Sequence, residues 1–425
     1  MNSSISPEKY AWHPGGFNIM AKAGGPICNL ACDHCYYLSK TQLFAESDFR
    51  MSEALLKEYT KQYIEAQRIP EVTFVWQGGE PTILGIDFYE KAIALQKKYA
   101  KPGMKITNSL QTNGTLISEE WAKFFKKHDF LIGISIDGPE DIHNRYRKYR
   151  NGNPSYMDVI SGLQLLQEYE VEYNLLTCVS VNNADRGLEV YQHFRDDLSA
   201  EFIQFIPIVE RENETGYQEG GKLTRRSCTP QQYANFLITI YNEWIRHDVG
   251  KVYVQIFDTT LASWVGERPG LCVFEPTCGL GLVLEHNGDV FSCDHFVEPD
   301  HRLGNLKDTS LMDMVFSARQ RDFGFAKRDT LTEYCKRCPW LFACHGGCPK
   351  NRVRKSPDGE EGQNYLCKAY EEFFAYVDPS MQVMATLIRS RRAPAEIMKM
   401  VRENPSEYLP KREAQTAPKN RRRRH

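Results

Sequence analysis

The sequence lacks any long apolar segment. No run of about 18 apolar residues occurs in its 425 residues, so no segment is expected to cross a bilayer. The first sixteen residues (MNSSISPEKYAWHPGG) contain no apolar core of the kind that a secretory signal peptide needs. The formal net charge of −2 provides no general electrostatic reason to bind nucleic acid or a membrane surface. We therefore expect a cytoplasmic protein that binds neither a nucleic acid nor a membrane.

Cysteine, by contrast, is frequent and unevenly placed. The chain has 13 cysteines, of which three lie at 28, 32 and 35 and eight lie between 272 and 367. A reducing cytoplasm disfavours disulfides, and clustered thiols in a cytoplasmic enzyme indicate metal binding or catalysis more often than structural stabilisation. Cys178 and Cys228 stand apart from both groups, and we expect them to be ordinary thiols.

The first part of the chain alternates between strand and helix patterns. Short apolar or β-branched runs predict six strands, at 17–23, 71–77, 105–112, 131–137, 172–181 and 202–209. Stretches with helical spacing follow them, at 52–68, 87–100, 118–128, 155–169, 187–197 and 230–247. This alternation predicts an α/β fold with a parallel sheet and right-handed crossovers, built as six units of an open or partial barrel. Active sites in such folds lie at the carboxyl ends of the strands, where a loop that follows the first strand also lies.

After about residue 250 this alternation is predicted to stop. The following residues are rich in turns and cysteine, and Asn287-Gly288 has the composition of a tight hairpin turn. We expect bound metal to stabilise a segment with so few long apolar runs. From about residue 388, many Arg, Lys and Pro residues predict a solvated, disordered chain. The predicted division is an N-terminal segment (1–13), the barrel (14–249), a cysteine-rich domain (250–375) and a C-terminal helix with a basic tail (376–425).

The three N-terminal thiols have the spacing Cys-x3-Cys-x2-Cys, which offers one ligand fewer than a closed metal site needs. Zinc bound by Cys28, Cys32, Cys35 and His34 is the simplest alternative. It is disfavoured because two consecutive residues, 34 and 35, would have to bind one ion. A [4Fe-4S] cluster on three thiolates instead leaves one iron open to a small molecule.

This loop, directly after the first strand of a partial barrel, resembles that of the radical S-adenosylmethionine superfamily. The resemblance implies that the open iron binds S-adenosyl-L-methionine. It extends to QGGEP after the second strand, SIDG at the end of the fourth and FIPI at the end of the sixth. The glycines are expected to let the backbone approach the ligand closely, and Arg147 to meet the cofactor carboxylate. The cofactor contacts implied by the resemblance are His34, Tyr37, Gly78, Gly79, Glu80, Ser135, Arg147 and Ile208.

The eight later cysteines are enough for two fully ligated clusters. Two zinc sites are the alternative. The arrangement resembles the SPASM domain, which carries two auxiliary [4Fe-4S] clusters in enzymes that modify peptides and proteins. The resemblance implies one cluster on Cys272, Cys278, Cys293 and Cys348 and a second on Cys335, Cys338, Cys344 and Cys367. Spacing alone favours a different set, with residues 335, 338, 344 and 348 together.

Within that group the chain resembles the anaerobic sulfatase-maturating enzymes from about residue 14 to 375, in motifs such as CNLACDHCYY, FVWQGGEPT, SCDHF and CKRCPWLFACHGGCPKNR. The resemblance implies oxidation of a cysteine or serine in a nascent, unfolded sulfatase to Cα-formylglycine without molecular oxygen. The target lies in a motif of Cys or Ser, any residue, Pro or Ala, any residue, and Arg. A 5′-deoxyadenosyl radical from S-adenosyl-L-methionine removes the Cβ hydrogen in this scheme, and a donor such as flavodoxin or ferredoxin supplies electrons.

The same resemblance implies residues that act on the substrate. Asp294, beside Cys293, is the expected base for the thiol or hydroxyl proton, while Gln77 and Tyr37 are expected to position the substrate. An Asp with a pKa of about 4 facing a thiol of about 8.5 makes the proton transfer unfavourable by about 6 kcal/mol. Burial of the Asp would raise its pKa and narrow this gap. His295 has a better matched pKa and is the competing base.

Two other functions stay open on the sequence alone. One is a different SPASM enzyme, such as a peptide cyclase that forms thioether or carbon–carbon links. Many of those enzymes carry an extra N-terminal peptide-recognition domain, and only about fifteen residues precede the first predicted strand here. The other is a zinc-binding interaction module, which would leave the QGGEP and SIDG loops without a role.

Overall fold

The computed structural model describes residues 15–44 and 47–410. Within these residues the main sheet has ten strands in the order β10-β9-β8-β1-β2-β3-β4-β5-β6-β7, and a separate hairpin pairs β11 with β12. The strands from β8 to β7 in this order pair in parallel, whereas β8, β9 and β10 pair antiparallel. The strands are β1 (Asn18–Lys22), β2 (Glu71–Trp76), β3 (Lys105–Thr112), β4 (Phe130–Ser135), β5 (Tyr173–Val179), β6 (Phe202–Pro207), β7 (Tyr253–Val254), β8 (Gly281–Glu285), β9 (Asp289–Phe291), β10 (Arg302–Asn305), β11 (Arg354–Lys355) and β12 (Glu361–Gln363).

Helices follow the parallel strands and then dominate the C-terminal part. A π-helical turn, His193–Asp197, extends the sixth of them. None of the helices in the described part of the chain has both the length and the apolarity that a membrane crossing needs. The helices are α1 (Glu53–Ala66), α2 (Ile86–Tyr99), α3 (Glu119–Lys127), α4 (Glu140–Tyr146), α5 (Tyr156–Glu168), α6 (Gly187–Gln192), α7 (Pro230–His247), α8 (Gln255–Val265), α9 (Leu311–Val315), α10 (Ala318–Asp329), α11 (Glu333–Lys336), α12 (Leu341–Cys344), α13 (Cys367–Arg389), α14 (Ile397–Glu403) and α15 (Pro405–Tyr408).

Strands β1 to β6 are the six strands predicted from the sequence, each within two residues of its predicted ends. The strands form where apolar and polar residues alternate, so that one face is buried. In β2, for example, Val72, Phe74 and Trp76 are buried, while the residues between them are more exposed. Capping explains several helix starts. The Ser52 side chain accepts from the Leu55 N–H at the start of α1, and comparable caps begin α3 and α7. The predicted α/β partial barrel is confirmed.

The sheet does not end where the alternation was predicted to stop. One further short unit, β7 followed by α8, continues it, because a two-residue strand is too short to leave a pattern in the sequence. The predicted hairpin at Asn287-Gly288 is present as β8 and β9. Its first strand pairs in parallel with β1, so the cysteine-rich segment extends the barrel sheet. This pairing carries the segment that contains Cys293 to the edge of the barrel.

The prediction of a disordered chain from residue 388 is wrong for residues 388–410. Helix α14 packs on α7, with Ile397 and Val401 fully buried and Leu409 nearly so. Apolar side chains one helical turn apart are enough to hold this segment, although most residues around them are polar or charged. The final basic stretch, 411–425, and the predicted N-terminal segment, 1–13, lie outside the described residues.

Candidate active site

The three-thiol loop lies directly after the carboxyl end of β1, as predicted. The charges of Cys28, Cys32 and Cys35 interact, and Cys28 Sγ accepts weak hydrogen bonds from the Leu30 N–H (3.4 Å) and from Asn113 Nδ2 (3.6 Å). Burial raises the pKa of Cys28 to about 11 and that of Cys32 to about 12. Both thiols therefore keep their protons at neutral pH unless a metal displaces them. Three convergent thiols fit a cluster that leaves one iron open.

The QGGEP loop packs on the backbone of the three-thiol loop. The Gly79 N–H donates to the Gly25 carbonyl and the Glu80 N–H donates to the Ile27 carbonyl, both at 2.8 Å. A Cβ on Gly79 would lie 2.0 Å from the Ile27 oxygen, so any side chain there would displace one of the loops. Gly78 has a φ of 147° and also lies against Gly25. The sequence predicted that these glycines let the backbone approach a ligand closely. At Gly79 the close approach is to the backbone of the three-thiol loop at Ile27.

Glu80 is a buried hydrogen-bond acceptor at the carboxyl ends of the strands. It is 1% exposed, and its carboxylate accepts hydrogen bonds from the Thr82 N–H and hydroxyl, the Thr112 hydroxyl and the Asn113 N–H, at 2.6–3.0 Å. Burial raises its pKa. Its oxygens accept from four donors, so Glu80 links the carboxyl ends of β2 and β3.

Arg147 and His34 belong to a buried polar cluster around Asp137. Arg147 donates to both Asp137 oxygens, at 2.8 and 3.0 Å, and to Cys178 Sγ at 3.7 Å. Burial opposes ionisation of Asp137, yet the charge and hydrogen bonds of Arg147, together with the neighbouring histidines, outweigh it and lower the pKa to about 2. Burial lowers the pKa of His34 to about 4, and its Nε2 lies 3.8 Å from Asp137. The guanidinium expected to meet the cofactor carboxylate is thus already neutralised by a carboxylate of the chain.

Ser135 and Ile208 remain accessible at the carboxyl ends of their strands. The Ser135 hydroxyl accepts from Gln111 Nε2 at 3.1 Å. Ile208 follows β6, is half-buried and donates its N–H to the Val179 carbonyl at 2.8 Å. Ile206 is 41% exposed and shares its face by strand alternation. These positions offer one polar and one apolar contact to a ligand at the barrel mouth.

The eight later cysteines gather into two groups, and all 13 cysteines of the chain are free thiols. Site A comprises Cys272, Cys278, Cys293 and Cys348. Site B comprises Cys335, Cys338, Cys344 and Cys367. Burial is the main cause of the raised pKa values at Cys272, Cys278 and Cys293, and the charge of Cys348 raises each of them further. The fold therefore brings Cys348 to site A, although all four cysteines of site B lie closer to it in sequence than any other cysteine of site A.

The thiols of site B line one cavity together with Tyr334, Leu341 and Tyr370. Burial and then the charge of Cys367 raise the pKa of Cys344 to about 12. Burial and then the charge of Cys335 raise the pKa of Cys367 to about 12. Each group thus supplies four thiols to one place, which fits a fully ligated cluster.

Asp294 joins site A to the barrel. It follows Cys293 directly, and its carboxylate forms an ion pair with Lys22 of β1, with Nζ 2.6 Å from Oδ1. The Tyr36 hydroxyl donates to Oδ2 at 2.5 Å, and Lys22 also donates to Gln77 Oε1 at 2.7 Å. Burial is the largest single influence on the pKa of Asp294 and raises it, but the charge of Lys22, the charge of His295 and the hydrogen bonds from Lys22 and Tyr36 together lower the pKa below its usual value. The expected net rise does not occur, because the expectation omitted a buried lysine on the first strand.

The two parts of the chain that carry these sites match known protein families. Residues 24–192 match the radical SAM superfamily, and residues 276–339 match the SPASM iron-sulfur cluster-binding domain. The chain is 45% identical over 397 residues to the serine-type anaerobic sulfatase-maturating enzyme of Bacteroides thetaiotaomicron, covering 91% of this chain and 95% of the relative. The chain belongs to the anaerobic sulfatase-maturating enzymes.

Other members of the family of anaerobic sulfatase-maturating enzymes match over a similar length. The cysteine-type enzyme of Clostridium perfringens is 33% identical, covering 88% of this chain and 99% of that protein. The solved structure of native anSMEcpe with bound AdoMet and the Cp18Cys peptide superposes with a TM-score of 0.78 at 33% identity, over 87% of this chain and 99% of that one. Streptococcus suis SuiB bound to its precursor peptide SuiA shares the fold alone, with 14% identity, a TM-score of 0.58, and 85% and 78% coverage.

In this anaerobic sulfatase-maturating enzyme, Tyr37, which was expected to contact the cofactor and the substrate, is buried, and its neighbour Tyr36 contacts Asp294. Tyr37 is 2% exposed, and its hydroxyl donates to the Glu285 carboxylate at 2.7 and 2.8 Å. Tyr36 instead reaches Asp294, and its ring packs edge-on against His295 at 5.6 Å. Burial lowers the pKa of His295 to about 4, which removes the match with a thiol that favoured it as the base.

Sequence reasoning missed Lys22, Tyr36 and Glu285. The signal for Lys22 was present in the sequence. It is the only charged residue of the predicted strand 17–23, which directly precedes the three-thiol loop. A charge at such a position requires a buried partner. Nothing local distinguishes Tyr36 from Tyr37, because which of two adjacent rings faces Asp294 depends on the path of the loop.

Proposed function

We propose that this enzyme oxidises a cysteine or serine of a sulfatase polypeptide to Cα-formylglycine without molecular oxygen. One observation carries the proposal: Asp294 lies between a thiol of site A and the barrel interior, held by Lys22 and Tyr36. A proton acceptor and a cluster site that takes up an electron then lie next to each other. The family to which the chain belongs, with serine-type and cysteine-type members, supports the same reaction.

The cofactors we propose are S-adenosyl-L-methionine and three [4Fe-4S] clusters. Cys28, Cys32 and Cys35 hold the first, site A holds the second and site B the third. Bound at the three-thiol loop, the cluster and S-adenosyl-L-methionine supply the radical that removes a hydrogen atom from the substrate Cβ. The proposed cofactor contacts are Ser135 and Ile208, at the carboxyl ends of β4 and β6, and the backbone around Gly78 and Gly79, which packs on that loop. His34, Glu80 and Arg147 lie in buried hydrogen-bond and ion-pair networks at the carboxyl ends of the strands, and we propose that they hold the cofactor loops in place.

Asp294 is the proposed base. Loss of a Cβ hydrogen atom, of the thiol or hydroxyl proton and of one electron amounts to a two-electron oxidation of the residue. Serine then yields the aldehyde directly, whereas cysteine yields a thioaldehyde that water hydrolyses with release of hydrogen sulfide. The lowered pKa of Asp294 keeps it ionised, with no proton of its own before the reaction. It also makes Asp294 a weaker base, so the transfer relies on the substrate radical being more acidic than the free thiol or hydroxyl. Gln77, bound to the same Lys22, is a proposed substrate-positioning residue, and Tyr36, which donates to Asp294, is proposed for this role in place of Tyr37.

The proposed substrate is the nascent or unfolded sulfatase, in a motif of Cys or Ser, any residue, Pro or Ala, any residue, and Arg. The reacting carbon has to come within about 3–3.5 Å of the attacking radical, which an extended chain at the barrel mouth permits. A flavodoxin or ferredoxin is the proposed electron donor. We propose that the reaction takes place in the cytoplasm and involves neither nucleic acid nor membrane.

A short peptide with the sequence Cys-x-Pro-x-Arg, deuterated at the target Cβ, tests the proposal. Reconstituted enzyme should convert it to an aldehyde that hydrazine reagents capture, and the deuterium should appear in 5′-deoxyadenosine. Retention of the label in the peptide, or label transfer from Cα alone, contradicts the mechanism. A crosslinked peptide without an aldehyde would assign the enzyme to the peptide cyclases instead.

A further inference from the structure

Three cations surround site A without carboxylate partners. Lys327 of α10 is 0% exposed, and its Nζ donates to the carbonyls of Cys272 (2.7 Å) and Val273 (2.9 Å). Lys350 follows Cys348 by two residues. Arg352 donates to the Lys327 carbonyl at 2.6 Å. Within the described part of the chain, none of these three cations forms an ion pair with an acidic side chain.

Each of the three acts on thiols of site A. The charges of Cys278, Cys348 and Cys272 oppose the effect of burial on the pKa of Lys327. Those of Cys348 and Cys293 oppose it at Lys350, as does the weaker influence of Glu210, which is itself paired with Arg226. Arg352 interacts with Cys278 and Cys348 of site A, and also with Cys335 and Cys344 of site B. Arg352 therefore lies between the two sites, whereas the two lysines belong to site A.

Unbalanced buried cations are costly, because burial removes water that stabilises their charge. A cubane cluster bound by four thiolates is a net anion and offsets that cost. One-electron reduction makes the cluster more negative, so the same cations favour its reduced form more strongly than its oxidised form. Net charge around an iron–sulfur cluster is one of the factors that set its reduction potential.

Site B has a carboxylate on one side. Glu371 raises the pKa of Cys338 and of Cys367, after burial as the larger cause. Tyr334, which lines the same cavity, donates to Glu371 at 3.2 Å. Glu371 also forms an ion pair with Lys368, with Nζ 2.9 Å from Oε2, so its charge is balanced.

The carboxylates that face site A are balanced in the same way. Asp294 and Glu275 raise the pKa of Cys272, and they form ion pairs with Lys22 and Arg268. Arg352 is shared by the two sites. What distinguishes site A is therefore the pair of buried lysines, Lys327 and Lys350, which form no ion pair with an acidic side chain in the described part of the chain.

We propose that Lys327 and Lys350 raise the reduction potential of the cluster at site A above that of the cluster at site B. This inference rests on the proposed function, which places a [4Fe-4S] cluster at each site. The electron comes from the substrate radical, the proton goes to Asp294, and the cluster at site A is the one reduced. A higher potential at site A makes this first transfer favourable and holds the electron beside the substrate. The electron then passes through site B to an oxidised one-electron carrier of the flavodoxin or ferredoxin class, which is thereby reduced.

A potentiometric titration followed by electron paramagnetic resonance tests the inference. The full chain with Cys28, Cys32 and Cys35 replaced by Ala retains only sites A and B, so two reduction waves are expected. Lys327→Gln should lower the wave of higher potential; a tenfold fall in the ratio of reduced to oxidised cluster at fixed potential corresponds to about 59 mV for one electron. Glu371→Gln should raise the other wave. Arg328→Gln, an exposed neighbour on α10 paired with Asp329, is the matched control and should move neither.

Iron analysis separates the possible failures. If the parent chain holds no iron at the two sites, the proposed function fails. If Lys327→Gln and Lys350→Gln keep full iron but leave both waves in place, or if Lys327→Gln moves the wave of lower potential, this inference alone is overturned. Loss of iron in both lysine variants, with iron retained in the control, would also overturn it, because the lysines would then hold the cluster and not set its potential.

Discussion

Lys22 and Asp294 form an ion pair with their nearest atoms 2.6 Å apart, although one lies on the first strand and the other far along the chain beside Cys293. The Lys22 side chain is 1% exposed and that of Asp294 is 18% exposed, so the pair is largely removed from water. Lys22 also lies over the Tyr37 ring, 4.5 Å from its centroid, and binds Gln77. This pair fixes the proposed base relative to the three-thiol loop that starts a few residues after Lys22.

Replacing Asp294 by Asn should remove the proposed base while keeping its shape. Formation of the aldehyde should fall by about 10²–10⁴-fold, the usual loss for general-base catalysis. Formation of 5′-deoxyadenosine should fall less, because cofactor cleavage does not require the substrate proton to leave. Both products are measured in one assay. His295→Ala is the comparison, and an equal loss of aldehyde there would contradict the assignment of Asp294.

Replacing Lys22 by Met should leave the Asp294 carboxylate buried without its partner. Breaking a buried ion pair in this way costs about 3–5 kcal/mol of stability. Adding Asp294→Asn should recover part of that loss, since no unpaired charge then remains, so the two effects should not be additive. Urea unfolding of the two single variants and the double variant measures the coupling. Lys105→Met, at an exposed pair with Glu71, is the control and should change stability little. Strict additivity would show that the pair is not energetically coupled.

The proposed cluster inventory predicts roughly twelve irons per chain, in three cubanes. Replacing Cys28, Cys32 and Cys35 together by Ala should remove about a third of the iron and abolish cleavage of S-adenosyl-L-methionine. Iron and sulfide analysis after anaerobic reconstitution checks this result. Zinc alone, or iron for no more than one cluster, would reject the inventory.

Replacing Gly79 by Ala should disrupt the three-thiol loop from a neighbouring loop. The added Cβ would lie 2.0 Å from the Ile27 carbonyl oxygen, and overpacking of this kind costs about 1–3 kcal/mol. We expect loss of about a third of the iron, with sites A and B retained. Gly281→Ala in β8 is the matched control, because a Cβ there meets no atom within 4 Å. Full iron and normal cofactor cleavage in Gly79→Ala would contradict the close packing of the two loops.

Asp258, in the first turn of α8, should make stability depend on pH. Burial raises its pKa from 3.8 to about 7. Between these values the folded chain keeps a proton that the unfolded chain has lost, so stability falls as pH rises through this window, by at most about 4 kcal/mol. Asp258→Asn should therefore stabilise the protein at pH 8 and change little at pH 4. Thermal unfolding at both pH values measures the difference, with exposed Asp322→Asn as the control; equal effects at both pH values would contradict the raised pKa.

Local features of the chain were readable from the sequence. Alternating burial in β2 and the helical spacing of α1 arise within one element, and the Asn287-Gly288 turn needs only its own two residues. The spacing of Cys28, Cys32 and Cys35 is equally local, because one loop supplies all three thiols. Resemblance to a known family added the grouping of Cys348 with site A, which spacing alone did not favour.

Long-range contacts were decided only by the tertiary structure. The ion pair of Lys22 with Asp294 depends on the parallel pairing of β8 with β1, which no local pattern encodes. No local pattern encodes the packing of the Ile27 carbonyl against Gly79 either, which leaves no room for a side chain at residue 79. Whether Tyr36 or Tyr37 faces Asp294 follows from the path of the loop. Each of these contacts joins segments far apart in sequence, and its energy comes from burial and charge that exist only once the sheet is assembled.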